Sequence, residues 1–144
     1  MNRKIIKLFL RFGIGIGFLS AVADRFGLWP QEISAWGNWD NFMAYTQIIN
    51  PLIPESLIPF SAVLATAAEL LFGICLLLGF KTELVAKWSG TLILIFGLAI
   101  TFSTGIKGAL DYSVFAASAG AFALSVLDEK YFEVDVLLSK KRID

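Results

Sequence analysis

Residues 60–80, FSAVLATAAELLFGICLLLGF, hold one ionisable side chain, Glu69, near the middle of an otherwise apolar run. The run matches the ~20 residues a helix needs to cross ~30 Å of hydrocarbon. A carboxylate at the centre of a bilayer is costly, so it is normally paired, turned into a bundle, or set on a proton or ligand path. Glu69 is therefore the first candidate functional residue. Ala62, Thr66, Glu69 and Gly73 recur at i, i+4, i+7 and i+11, which puts the carboxylate on a small, mildly polar helix face directed into a bundle. Pro59 suits the first turn, and Gly79 and Phe80 close the helix before the charged turn 81–83.

Three further apolar segments flank this one, at about 5–23, 88–104 and 112–127, the last being the shortest. Hydrophobic residues make up 57% of the 144, and mean hydropathy is +0.73. A soluble domain of this length rarely needs so much apolar surface. The expected fold is all-α: an integral membrane four-helix bundle with an interfacial helix or loop between helices 1 and 2. One membrane domain, 1–127, is followed by a cytoplasmic tail, 128–144, with a short helix at 133–139 and no chemistry assigned.

Charge sets the orientation. Twelve basic residues balance twelve acidic ones, leaving no basic excess to suggest nucleic acid. Arg3, Lys4, Lys7, Arg11, Lys81, Lys87, Lys130, Lys140, Lys141 and Arg142 fall on one side of the spans, and only Arg25 and Lys107 on the other. That asymmetry places both termini in the cytoplasm with an even number of spans. Ala21-Val22-Ala23 after a basic start also has the form of a signal-peptide cleavage site, but Arg11 interrupts the early apolar stretch and favours a retained helix.

The chain has no histidine, the commonest haem and metal ligand, and a single cysteine, Cys75. Paired-thiol reductase mechanisms within one chain are excluded, and Cys75 reads as a packing residue. No metal or covalent cofactor is expected.

Small residues mark the expected inner faces. On the first helix Gly13, Gly17, Ser20 and Asp24 share a stripe, with Gly13-x-x-x-Gly17 a pattern for close helix contact in lipid. The third offers Gly90, Gly97, Thr101 and Thr104, with Leu92, Ile93, Ile95 and Phe96 towards lipid. The fourth is rich in Ser113, Ala116, Ala117, Ser118, Gly120, Ala121 and Ala123, which suits a buried helix. Such faces serve intrachain packing or a homo-oligomer equally well.

The segment 27–56 is long and aromatic. Trp39, Phe42, Met43 and Ile49 fit one face of a short interfacial helix ended by Pro51 and Pro54. Trp36 and Trp39 read first as interfacial anchors and second as a lid that stacks on a ligand.

Two charged groupings complete the reading. With the inner helix ends aligned, Arg11 and Glu69 differ in depth by about 7 Å, a gap a guanidinium can bridge to make a charge pair. Asp24 and Arg25 at the end of the first helix, with Lys107, Asp111 and Tyr112 between the third and fourth, form an expected outer cluster. Asp111 also suits a helix N-terminus, and Lys107 reads as solvated charge.

Arg11 with Gly13–Gly17, Asp24-Arg25-Phe26-Gly27, the run from Ala68-Glu69-Leu70-Leu71 to Gly79, Gly105-Ile106-Lys107 and Leu110-Asp111-Tyr112-Ser113-Val114-Phe115 together resemble the DoxX family of small bacterial membrane proteins. The resemblance covers residues 8–127 and implies a four-helix membrane protein. Some relatives are named for subunits of a terminal quinol oxidase and of thiosulfate:quinone oxidoreductase, so it implies an oxidoreductase-associated subunit whose catalysis would require a quinone, a redox partner subunit or both. Glu69 would then exchange a proton or hydrogen-bond a quinone carbonyl, with Arg11 its charge partner and the outer cluster a gate under the aromatic loop. Two readings of other classes stay open: a small proton-coupled transporter using Glu69, and a non-catalytic scaffold subunit in which the charges only lock the fold.

Overall fold

The computed structural model describes residues 2–140, and these form helices without strands. In chain order they are α1 (Arg3–Arg25), α2 (Trp39–Ile49), a 3-10 turn (Glu55–Leu57), α3 (Ile58–Leu78), α4 (Thr82–Thr104), α5 (Ile106–Asp111), α6 (Val114–Ser125) and α7 (Val134–Lys140). Among the described residues α1, α4 and the stretch Glu55–Leu78 are long and apolar enough to cross a membrane. Local signals set most boundaries. Asn2 and Asn38 accept from the backbone N–H groups of Lys4 and Asn41 at 3.0 and 2.8 Å, capping α1 and α2. Pro59 sits in the first turn of α3, and Gly79, at φ 70°, ends it in the left-handed conformation that a side chain disfavours.

α1 and α3 approach closely where Gly15 meets Gly73. A Cβ on either would stand 3.1 Å from the other's carbonyl oxygen. Gly13 and Gly17, the expected contact pair, have no atom within 4 Å of their Cβ positions and face outward. The glycine that makes the contact lies two residues from either member of the expected pair. Successive glycines at 13, 15 and 17 point in different directions on a helix, and only the partner's surface selects among them.

On α3 the expected inner face is the buried one: Ala62, Thr66, Glu69 and Gly73 all lie inside. α4 packs on α6, with Gly90 against the ring of Phe122, Gly97 against Val114 and Phe115, and Ser118 Oγ donating to the Gly90 carbonyl at 2.8 Å. Ile93, expected towards lipid, is instead buried with Phe18 and Ala121 between the two helix pairs.

The fourth apolar segment is not one long helix. Ser113, at φ 55°, breaks it between α5 and α6, leaving the 12 residues of α6. Those residues rise only about 18 Å. Of its small residues Ser118 and Ala121 are buried with Leu124, whereas Ser113, Ala116, Ala117 and Ala123 are exposed. The link before it, expected to be a short loop, is the helix α5.

The segment after α6 folds back against the bundle. The short helix expected at 133–139 is α7, and the Asp135 N–H donates to the Gly79 carbonyl at 3.3 Å. Lys141 and Arg142, counted in the charge asymmetry, lie outside the described residues.

Candidate functional site

Two buried arginines on α1 organise the charged groups, Arg11 more than two turns in from its start and Arg25 at its C-terminal end. Arg11 does not meet Glu69. It lies four residues before the Gly15–Gly73 contact, and four residues beyond that contact on antiparallel α3 is Leu77. Glu69 is eight residues further back, roughly 12 Å along the helix. The depth estimate failed because it aligned the helix ends, whereas the glycine contact sets the register.

Arg11 instead spends its guanidinium on main-chain carbonyls. Nε donates to Leu76 O at 2.9 Å and Nη2 to Leu77 O at 3.0 Å, while Nη1 donates to Tyr131 O at 3.0 Å and Phe132 O at 2.9 Å. The first two acceptors are carbonyls of the last turn of α3, where a cation also suits the helix dipole. The other two belong to the returning segment, in which Phe132 holds φ 48°. Glu133 lies beneath them, its carboxylate 2.9 Å from Lys7 Nζ and 3.9 Å from Arg11 Nη1. Asp135 accepts from the Lys81 and Thr82 N–H groups at 3.0 and 3.4 Å and so caps α4. One segment thus satisfies the end of α3 and the start of α4. Beside it Lys130 Nζ sits 2.5 Å from Glu83, and that hydrogen bond raises the lysine pKa above its ordinary value.

Glu69 is held by the other arginine. Arg25 and Glu69 form an ion pair in which the residues are 2% and 3% exposed. Arg25 Nη1 also donates to Thr66 Oγ1 at 2.7 Å, and that hydroxyl donates onward to the Ala62 carbonyl at 2.8 Å. Arg25 is the last residue of α1, so its side chain reaches back along α3 to the carboxylate. Arg25 Nε is buried with no hydrogen-bond partner among the described residues.

Aromatic rings close this site. The Phe42 centroid lies 3.9 Å from Arg25 Cζ and that of Trp36 5.3 Å from it, distances at which a guanidinium is attracted by the ring face. Trp36 packs edge-on to Phe42 at 5.1 Å, and Trp39 stacks on Phe26 at 5.9 Å and leans on Phe42 at 5.6 Å. Among the described residues Asp24 makes no ion pair. Its Oδ2 accepts from the N–H groups of Ala35 and Trp36 at 3.0 and 2.9 Å and fixes the loop that carries Trp36. A groove of about 410 Å³ runs beside it, lined by Gly17, Ser20, Asp24, Trp29, Ile33 and Trp36 among others.

The expected outer cluster therefore divides. Asp24 and Arg25 belong to the buried site with Trp36. Lys107 and Asp111 pair with each other at 2.5 Å across one turn, both well exposed, and Tyr112 is exposed beside them. A break after Gly105 turns α5 into a separate surface helix, which carries these residues away from α1. Sequence reading placed Thr66 on the stripe without a role, and it gave Lys7, Glu133 and Asp135 no chemistry. An acid in a polar tail carries no signal of burial until its partners are known. Among the described residues no group of His, Cys, Asp or Glu is arranged to hold a metal ion.

Comparison with family models, curated proteins and solved structures returns no match to this chain.

Proposed function

We propose that the chain is a DoxX-like, multi-pass protein of a bacterial inner membrane, a four-helix bundle with both termini cytoplasmic, acting as a non-haem component of a quinone-linked redox system. The observation that carries the reading is the buried Arg25–Glu69 pair beneath Trp36 and Phe42, with the guanidinium Nε left without a hydrogen-bond partner among the described residues. Membrane insertion is supported by an inverted burial pattern. Phe9, Phe60, Ile74, Ile95 and Phe102 are exposed while Thr66, Glu69, Ser89 and Ser118 are buried, as expected where lipid rather than water covers the surface.

Arg25 takes the partner role that the sequence assigned to Arg11. It holds the Glu69 carboxylate and offers Nε to a carbonyl oxygen. Glu69 is the group able to take up or release a proton against that hydrogen bond. Trp36 excludes water and presents a ring face towards the groove. A quinone, when bound, would supply the two-electron, two-proton couple that this chain's side chains lack. A second reading, the scaffold subunit, is favoured by one specific observation: both charges are almost fully enclosed, as a folding lock requires.

Titration of decylubiquinone into the protein in lipid nanodiscs, read by quenching of tryptophan fluorescence, tests the choice. Saturable quenching that weakens at least tenfold in both Glu69→Gln and Trp36→Phe is expected. Equal, non-saturating quenching in all three proteins would leave the scaffold reading in place.

A further inference from the structure

The segment that Arg11 clamps carries more apolar surface than its place in the chain requires. Phe132 is 73% exposed, Leu137 68% and Leu138 49%. None of the three is free to wander. The Phe132 carbonyl is bound by Arg11, and Asp135, which opens α7, is bound to the first N–H groups of α4. A left-handed φ at a phenylalanine is unfavourable and persists only where its surroundings impose it. Here the imposed conformation turns the carbonyl to Arg11 while the ring stays outside. These side chains are therefore held at the level where α3 ends and α4 begins.

The same level bears cations and an aromatic belt. Lys4, Lys81 and Lys87 are exposed there, with Lys4 Nζ 5.9 Å from the Tyr131 ring and Lys81 Nζ 5.7 Å from that of Phe80. Trp88, one turn from exposed Leu84 on α4, is 57% exposed. Apolar side chains beside lysines and a tryptophan, at the ends of helices long enough to cross a bilayer, match the boundary between acyl chains and phosphate groups.

We infer that residues 131–138 are a lipid-docking surface, with Phe132, Leu137 and Leu138 set into the headgroup boundary and Lys4, Lys81 and Lys87 on anionic phosphates. The occupant is a phospholipid leaflet. Charge complementarity and continuity with the apolar flanks of α3 and α4 select it. Arg11 is then a positioning residue, because it holds the docking segment at the depth where lipid begins. This inference rests on the membrane reading proposed above and adds that the C-terminal segment is interfacial rather than a solvated tail.

The test uses nitroxide labels in the full chain with Cys75→Ser, in discs of phosphatidylcholine alone or mixed equally with phosphatidylglycerol. Labels go at Leu137→Cys, at Ile74→Cys on the exposed apolar side of α3, and at Gln47→Cys on the exposed side of α2. Power saturation compares collisions with oxygen, which favours lipid, and with a water-soluble nickel chelate. At position 137 the oxygen-to-nickel ratio should exceed that at 47 several-fold, rise further with phosphatidylglycerol, and fall to the level of 47 when Arg11→Met is added. A water-like ratio at 137 with a lipid-like ratio at 74 would overturn the docking surface and leave the membrane reading intact. Water-like ratios at both positions would overturn both. An unchanged ratio at 137 on adding phosphatidylglycerol would remove the anionic phosphates from the proposal.

Discussion

Arg11 and Arg25 are both buried on α1, fourteen residues apart in sequence, yet they solve the cost of burial in different ways. Arg11 gives its N–H groups to neutral main-chain carbonyls, and it faces Glu133 together with Lys7. Arg25 meets one carboxylate and one hydroxyl, keeps a spare donor, and is roofed by rings. The first arrangement ties three chain segments together through four hydrogen bonds to main-chain carbonyls. The second holds a titratable group with hydrogen-bonding capacity in reserve. A buried charge is thus evidence of function only after its partners have been counted.

The contrast breaks most sharply at Arg11. Arg11→Met should destabilise the protein by about 4 kcal/mol, since it strands buried carbonyls and leaves Glu133 with one partner fewer. Thermal melting in detergent measures the loss, and limited proteolysis should show earlier cleavage near residue 131. A tail that stays protected in this variant would mean Arg11 is not the clasp.

At the other end, Arg25→Met and Glu69→Gln should each cost about 3 kcal/mol, with a coupling between them above ~1 kcal/mol in a double-mutant cycle. The corresponding cycle for Arg11 with Glu69 should be additive within about 0.5 kcal/mol. Coupling in the second cycle and none in the first would return the pairing that helix-end alignment suggests.

Glycines sharpen the comparison through the register that separates the two arginines. Gly73→Ala places a methyl 2.9 Å from Leu19 Cδ2 and 3.1 Å from Gly15 O, and should cost about 1–3 kcal/mol by forcing α1 and α3 apart. Gly13→Ala meets nothing within 4 Å and should stabilise by up to about 1 kcal/mol through helix propensity. Equal losses would restore Gly13 to the helix contact.

The smallest effect concerns Lys130. Its pKa is raised in the folded protein by the hydrogen bond to Glu83, so the stabilisation is complete below the ordinary value of 10.5 and is lost as pH rises through the folded value. Both side chains are close to half exposed, so solvent screening keeps the contribution small. Melting temperature should fall slightly less above that pH in Glu83→Gln than in the parent protein. Identical alkaline profiles would show that the pair contributes nothing.

The sequence by itself determined the three long apolar helices, because hydrophobic length and the capping signals at Asn2, Pro59 and Gly79 are local. It also determined that Glu69 lies on a buried face with Ala62, Thr66 and Gly73, since a period of 3.6 residues is a property of one helix. The short helix carrying Trp39 and Phe42 was legible for the same reason. Which arginine meets Glu69 was settled only in the tertiary structure. The contact of Gly15 with Gly73 sets the register of two helices, and nothing in either helix alone says which of three glycines will touch. Tertiary structure also divided the outer cluster at Gly105 and Ser113, gave the final segment its place through Arg11 and Asp135, and buried Glu133. The place of the final segment depends on partners more than 50 residues apart in the chain, a distance over which neither periodicity nor capping carries information.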